Sequence, residues 1–536
     1  MSTQRRPVYA MDCETDPFDG TTDIRPFLWD FFDGKKHHTC ESVSDAHAFV
    51  EAHPGIYFAH NGGRFDFLMG SFASKADIGQ ELLMIGGRLA RFTMLGSEFR
   101  DSFCILPSPL SSLGTAKASK KEIDYAKLSR ANRKKHMSEI IEYLHADTAT
   151  LWHAVSAFRG EYGNGITLAG AALRQFRHCV LGGSQVPCLS ASQDAIVREY
   201  YYGGRVEAMV QGHVGRPFKV YDIASAYPRA MMEVQPWGNS PIVRSFKRGE
   251  KIAGQRFYTV ECDSFGALPR IEKGEGLAFP SGRGQFKCTG WELLAGLETD
   301  TIRNVNVLSV LQFSEGMSFA PYVKKYYKLK EESPKGSHAR LFAKLLLNSA
   351  YGKLGCNPDN YERTTTVATA QEAMAHAASG EYRMHAAPLG GDSGPWLVSR
   401  DLDSDEKKYL HVGAAASITG WVRAYLWRAI AAARRRGAIY YCDTDSIACD
   451  AEMKTGTALG DWTLDADCTD GWIGGKKLYA FRLADGGWKT ASKGARLSPS
   501  EIVRVSEGES TEWKSSAPTL RAGALPRVIS RRIRKR

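Results

Sequence analysis

The sequence predicts a multidomain α/β fold, and three features predict it. The chain has 536 residues, enough for roughly three to five domains of about 100–200 residues each. Hydrophobic residues make up 43% and charged residues 24%, the balance of a globular chain rather than a disordered one. Short β-prone runs that end in acids, such as those leading to Asp12 and Asp222, alternate with stretches of helical period, such as 137–162. No apolar run approaches the roughly 18–20 residues of a membrane span, and the N-terminus carries no signal-peptide core. The expected location is cytoplasmic, with no membrane partner. Eleven scattered cysteines with no Cys-x-x-Cys pair indicate neither a zinc ribbon nor a disulfide framework.

The elements follow in chain order. Val8-Tyr-Ala-Met-Asp-Cys-Glu-Thr reads as a strand ending in Asp12-x-Glu14. Residues i and i+2 of a strand share a face, so both carboxylates can converge on one cation. Taken singly, the pair also suits a solvated strand end. A second apolar run, Ile56-Tyr-Phe-Ala, enters a glycine-containing turn that ends at Asp66. Met137 to Tyr162 has helical period, and Tyr143 and Asp147 are neighbours on one face at i, i+4. Four acids and a tyrosine that can hold a water suit magnesium-assisted phosphodiester hydrolysis, because magnesium prefers oxygen ligands.

In the second half, Lys219-Val-Tyr-Asp222 is an apolar strand that runs into a Ser/Tyr/Pro turn. Ile439 to Ala448 reads as a hairpin with Asp443-Thr-Asp445 at its tip. Between them, Leu341 to Tyr351 is helical, and Arg340, Lys344, Asn348 and Tyr351 form one polar face. Two cations, an amide and a phenol suit a triphosphate, a base pair and a sugar; an ordinary amphipathic helix is the alternative. Lys477-Leu-Tyr479 and Ala491-Ser-Lys493-Gly-Ala place cations beside small residues, and no Gly-Lys pair there continues into a Walker A loop.

The formal charge of +11 permits a polyanionic partner without requiring one. Basic residues cluster at 117–135, 324–344 and 423–436, and six of them fall in the last ten residues. Tyr322, Tyr326 and Tyr327 interleave with the second cluster, a mixture expected where bases stack; solvated helix faces are the alternative.

In this order, the motifs resemble the family B DNA polymerases, specifically their protein-primed, tectivirus-type branch. Asp12-x-Glu14, Asn61-x-x-x-Phe65-Asp66 and Tyr143-x-x-x-Asp147 resemble the three exonuclease motifs. Asp222-x-x-Ser-x-Tyr-Pro, Lys344-x-x-x-Asn-Ser-x-Tyr-Gly352 and Tyr441-x-Asp-Thr-Asp-Ser446 resemble the three polymerisation motifs. Tyr201-Tyr-Gly203-Gly204 resembles the linker between the two activities, and Lys477-Leu-Tyr479 the motif that contacts the primer. Ala226 and Val422 depart from the usual pattern.

The resemblance implies an RNase H-like 3′–5′ exonuclease domain at 1–185 followed by a right-hand polymerase. The palm is expected at 186–232 and 411–492, the fingers at 319–358, and the thumb with a basic tail at 493–536. Insertions at 233–318 and 359–410 are expected to contact a terminal protein and to serve processivity and strand displacement, with Leu389 to Pro395 projecting as a hairpin.

The resemblance also implies the roles of single residues. Asp222 and Asp443 would bind two magnesium ions with Asp445 in support, and manganese could substitute. Asp12, Glu14, Asp66 and Asp147 would bind the exonuclease pair, beside Tyr143. Tyr227, Arg340, Lys344, Asn348 and Tyr351 would bind the dNTP, Tyr227 as the gate against a ribose 2′-OH. Asn61, Phe65, Ser102, Lys120, Tyr201, Gly203, Gly204, Thr419, Arg423, Lys477, Tyr479 and Lys493 would contact DNA.

The partners implied are template and primer DNA, dNTPs, a terminal protein and a single-stranded DNA-binding protein, with the enzyme a monomer. A phage-encoded copy would act in the bacterial host cytoplasm. Synthesis from a nucleic-acid primer or from none remains an alternative, as does a non-catalytic DNA-binding component.

Overall fold

The computed structural model describes residues 6–69, 72–115, 118–391, 394–492 and 494–535. Two large sheets organise the chain. The first has ten strands, and its centre is the trio Val8–Thr15, Ile56–Ala59 and Ser97–Asp101, paired in parallel. Parallel strands are buried on both faces, which fits the apolar runs 8–11 and Ile56–Ala59, while Ser97–Asp101 carries polar side chains that are buried or half-buried. The helix Met137–Tyr162 spans the residues that its period predicts and packs Leu151, Ala154, Val155 and Phe158 inward.

The second sheet has eight strands and draws on both halves of the expected palm. Phe218–Ile223 and Ile439–Asp443 flank Ser446–Cys449, so that Asp222 and Asp443 are both register partners of Ser446. Two acids 221 positions apart in sequence thus lie at the ends of strands separated by a single strand, about 10 Å between backbones. The helix Val412–Arg434, rich in alanine, lies buried along much of its length and supports this sheet.

Residues 233–318 build a separate four-stranded sheet with the helix Gly290–Glu298, which packs on the 412–434 helix. The segment 359–410 joins the first sheet. Its strands Glu362–Val367, Arg383–Met384 and Trp396–Asp401 extend the first sheet, with Thr364 and Thr365 opposite Leu82 and Glu81. Leu389 does not project. It is fully buried in the N-terminal core, and its N–H closes the loop on Pro395 O at 2.8 Å. Burial of Leu389 and Leu397 and the open edge at Glu81–Ile85 together account for the docking.

The tyrosines of the second basic cluster are also placed otherwise than expected. Tyr322 and Tyr326 are core residues, donating to Leu346 O at 2.7 Å and Gln175 Oε1 at 2.9 Å. Of the three, Tyr327 alone is partly exposed. The basic tail forms a strand, Ser530–Arg534, paired with Ser510–Lys514. Between those strands the chain returns to the first unit. Ser516 O accepts from Gly20 N–H at 2.9 Å, and Ala522 is buried in the N-terminal core. Among the described residues, no helix is long and apolar enough to cross a membrane.

Candidate active sites

The first acid set gathers on one face of the N-terminal sheet. Asp12 and Glu14 come from the first strand, Asp66 opens a short helix, and Asp147 descends from the 137–162 helix. Glu14, Asp66 and Asp147 are buried, and Asp12 is half-buried. Burial, then the carboxylates of Asp66, Asp147 and Glu14, hold Asp12 well above the usual carboxylate range. Burial and Asp147 push Glu14 up to about 8, and burial lifts Asp66 to about 6. One cation enters the set: Lys120 Nζ donates to Tyr143 Oη at 2.7 Å and to Asp147 Oδ2. Burial opposes that charge, but the Asp147 carboxylate more than offsets it and raises Lys120. Asp147 Oδ1 is buried with no protein partner, an acceptor suited to a cation.

The second set is more open. Asp222, Asp443 and Asp445 are all half-buried. Burial and the Asp445 carboxylate push Asp222 up to about 7, and burial with Asp443 lifts Asp445 to about 6. Lys477 Nζ pairs with Asp443 at 2.7 Å, and the Lys477 N–H donates to Tyr441 Oη at 2.7 Å. Tyr227 and Tyr351 stack at 4.5 Å and 12° beside the acids. Lys344 and Asn348 are exposed on the helix His338–Leu354, while Arg340 is turned to the carbonyls of Lys330 and Ser333.

Backbone strain marks both places. Seven non-glycine residues among those described have left-handed φ; Asn61 (67°) belongs to the first set, and Ser225 (54°), Thr444 (62°) and Lys477 (59°) to the second. Such conformations persist where surrounding bonds over-determine them, and they cluster at functional sites. Thr444 is held by its N–H to Arg205 O at 2.6 Å and by its hydroxyl to Asp443 Oδ1 at 3.0 Å. Gly204 presses against the same turn: a Cβ there would lie 2.8 Å from Thr444 Cγ2.

Residues 115–384 match the family described as DNA polymerase type B, organellar and viral. The chain is 33% identical over 514 residues to the DNA-directed DNA polymerase of Enterobacteria phage PRD1, covering 92% of this chain and 86% of that one. The chain belongs to the type B DNA polymerases. It is similar at 26% identity over 293 residues to the DNA polymerase of Bacillus phage phi29, covering 51% of this chain and 45% of that one. The phi29 polymerase complexed with primer-template DNA and incoming nucleotides matches its fold with a TM-score of 0.75 at 19% identity, covering 99% and 100% of the two chains. The mixed α/β arrangement is thus that of an exonuclease domain joined to palm, fingers and thumb. This type B polymerase is a DNA-directed DNA polymerase.

Several residues expected to touch DNA are committed elsewhere in this polymerase. Ser102 is fully buried, bonded to Ala59 O at 3.1 Å and His60 Nδ1 at 2.9 Å. Thr419 is buried and donates to Ala416 O at 3.1 Å. Arg423 is 2% exposed, pairs with Glu292 at 2.7 Å, and donates to Tyr202 O and Gly203 O. These three side chains are buried and hydrogen-bonded within the fold. Phe65 is half-buried, edge-on to the exposed Phe18. Tyr201 is half-buried near Gly355, Gly203 has open space beside it, and Tyr479 stacks on Phe481 and packs against Tyr441. Lys493 lies outside the described residues.

Sequence reasoning missed three positioning groups. Asp101 accepts from the N–H groups of Asn61 and Gly63, and Arg88 bonds Asn61 Oδ1 at 2.8 Å while pairing with Asp101. Arg205, sandwiched between Phe279 and Trp427, supplies the carbonyl that fixes Thr444. Its place directly after Gly204 was the available signal. A cleft of about 1060 Å³ runs from Gly474–Lys476 to the tail strand and is lined by Lys476, Arg531, Arg532 and Arg534, with no acid among its lining residues.

Proposed function

We propose that this polymerase copies a linear viral or mobile-element genome by protein-primed initiation, with 3′–5′ proofreading and strand displacement. The observation that carries it is the presence of two complete acid sets on two different sheets, with a basic cleft beside the second. One protein then holds a site for making phosphodiester bonds and another for breaking them.

The donors fit hard divalent cations, being carboxylates driven into proximity with raised pKa values and, at Asp147, an unpaired buried oxygen. Asp222 and Asp443 would hold two magnesium ions with Asp445 close by, and Asp12, Glu14, Asp66 and Asp147 a second pair; manganese shares the oxygen preference. Bound there, the ions supply charge neutralisation on the phosphate and acidify the attacking oxygen.

The protein supplies position. Lys344, with Arg340 swung off the Lys330 carbonyl, binds the triphosphate. Asn348 and Tyr351 line the nascent pair, and Tyr227, fixed by its stack on Tyr351, fills the space of a ribose 2′-OH. The primer 3′-hydroxyl attacks the α-phosphate and pyrophosphate leaves, with catalysis resting on placement and charge. Lys477 stands as the cation on Asp443 until it turns to primer phosphate, and Tyr479 packs beside it. The cleft's arginines follow the duplex backbone. At the first site, Asn61 and Phe65 guide a single strand, while Lys120 and Tyr143 hold the attacking water. The work is done in the host cytoplasm with a terminal protein and a single-stranded DNA-binding protein as partners.

The test mixes the polymerase with candidate terminal proteins, magnesium and labelled dNTP. A covalent protein–nucleotide adduct is expected. Absence of an adduct with every candidate, while a DNA primer is still extended, overturns protein priming and leaves the polymerase assignment standing.

A further inference from the structure

One side-chain cluster in the N-terminal domain takes no part in either reaction. Asp30 lies on the strand Pro26–Phe32, one strand outward from Asp12, its register partner. Its side chain is fully buried, and among the described residues its ion-pair partners are two histidines, with no lysine or arginine. His37, from the edge strand His37–Cys40, places Nδ1 2.7 Å from Asp30 Oδ2. His145, from the 137–162 helix, places Nε2 3.5 Å from Asp30 Oδ1. The two rings stack at 4.0 Å and 12°, and each places one nitrogen on an oxygen of the Asp30 carboxylate. One ligand atom from each of the three residues lies within 4.8 Å of the other two.

We propose that Asp30, His37 and His145 bind one divalent cation of the zinc class. Two imidazole nitrogens and a carboxylate oxygen are the donor set that such ions prefer and that magnesium does not. Ligand atoms around a tetrahedral zinc stand about 3.3 Å apart, given metal–ligand bonds near 2.0–2.1 Å. The histidine nitrogens stand 2.7 and 3.5 Å from the two Asp30 oxygens and all three ligand atoms fall within 4.8 Å of one another, so the rings turn out of their stack for both nitrogens to face one ion. One hydroxyl supports a ligand in the manner common around metals: Thr148 Oγ1 donates to Asp30 Oδ2 at 2.5 Å. Thr39 Oγ1 lies 2.7 Å from His145 Nε2, the ligating nitrogen, and gives up that contact when the ion binds.

The consequence is mechanical. The cation ties the sheet's edge strand to the same helix that carries Tyr143 and Asp147, and so fixes how far that helix stands from Asp12. The helix positions 145 and 148 serve this cluster while 143 and 147 serve the acids.

The test uses the full chain, stripped with chelator, returned to excess magnesium so that the oxygen-only sites are filled, then loaded with zinc and desalted. Zinc retention is measured by elemental analysis, and cobalt substitution by visible absorption. Wild type is expected to keep about one equivalent of zinc more than His37→Ala or His145→Ala, and to give the intense bands of four-coordinate, nitrogen-ligated cobalt. Zinc should also raise the melting temperature of wild type and leave both variants unmoved. Primer extension serves as the folding control; if His145→Ala loses it, His37→Ala on the edge strand decides alone. Equal zinc retention in wild type and variants, or only the weak bands of six-coordinate cobalt, overturns the proposal.

Discussion

The two acid sets use the same side chain in opposite settings. In the first, Glu14, Asp66 and Asp147 are buried, one lysine faces them, burial raises the acids, and neighbouring carboxylates raise Asp12 and Glu14 further. In the second, Asp222, Asp443 and Asp445 stay half-buried on a strand-end platform beside an open basic cleft. A closed pocket suits a water and the last nucleotides of a single strand. An open platform suits a duplex and a triphosphate, which must enter and leave at every cycle. The difference teaches that the acids alone do not select the reaction; the walls around them do.

The sharpest way to break the comparison is to remove one acid from each set. Asp443→Asn is expected to lower dNTP incorporation by about 10³-fold or more and to leave degradation of single strands intact. Asp66→Asn is expected to do the reverse. Primer extension and end-labelled strand degradation measured on the same preparations read both. Loss of both activities in each folded variant would show that the sets form one functional unit.

Next comes the buried ion pair beside the second set. Arg423→Met leaves Glu292 charged and buried, and breaking such a pair costs about 3–5 kcal/mol. Denaturant unfolding should show that loss, and adding Glu292→Gln should recover much of it. If Arg423→Met instead keeps its stability and weakens only DNA binding, Arg423 is a DNA contact after all.

Gly204→Ala is expected to act more locally. Its Cβ meets Thr444 within 3.1 Å or less at three atoms, so the Asp443 turn must shift. A displacement of that kind costs incorporation about 10–100-fold. Degradation of single strands, which the proposed function assigns to the first acid set, is expected to be unchanged.

How much of this was legible in the sequence follows the range of the forces. Periodicity reports local burial, so the 137–162 helix and the 439–448 hairpin could be read directly. Motif spacing reports chemistry, so the acids could be read too. Long-range pairing leaves no local trace. Nothing near Thr364 says that it will meet Leu82, and nothing near Arg423 names Glu292, 131 positions away. For the same reason Tyr322, Tyr326 and Ser102 read as nucleic-acid contacts, although the fold buries all three. Cations among aromatics look alike in sequence whether the rings face bases or a core.

The smallest effect separates the two sets by pH. Glu14 at about 8 and Asp222 at about 7 bind protons more tightly folded than unfolded, where a carboxyl titrates near 4. The stability they contribute is therefore full below the unfolded value and is lost as pH rises through the folded one. Metal-free protein should melt progressively lower between about pH 6 and 8, and magnesium should restore more at the upper end, where fewer protons must be displaced. Calorimetry with chelator, then with magnesium, measures both. Glu14→Gln should flatten the upper part of that slope more than Asp222→Asn, because Glu14 at about 8 keeps its proton to a higher pH than Asp222 at about 7. Equal flattening by the two variants would mean that the pocket and the platform hold their charge alike, and the contrast between them would then rest on access alone.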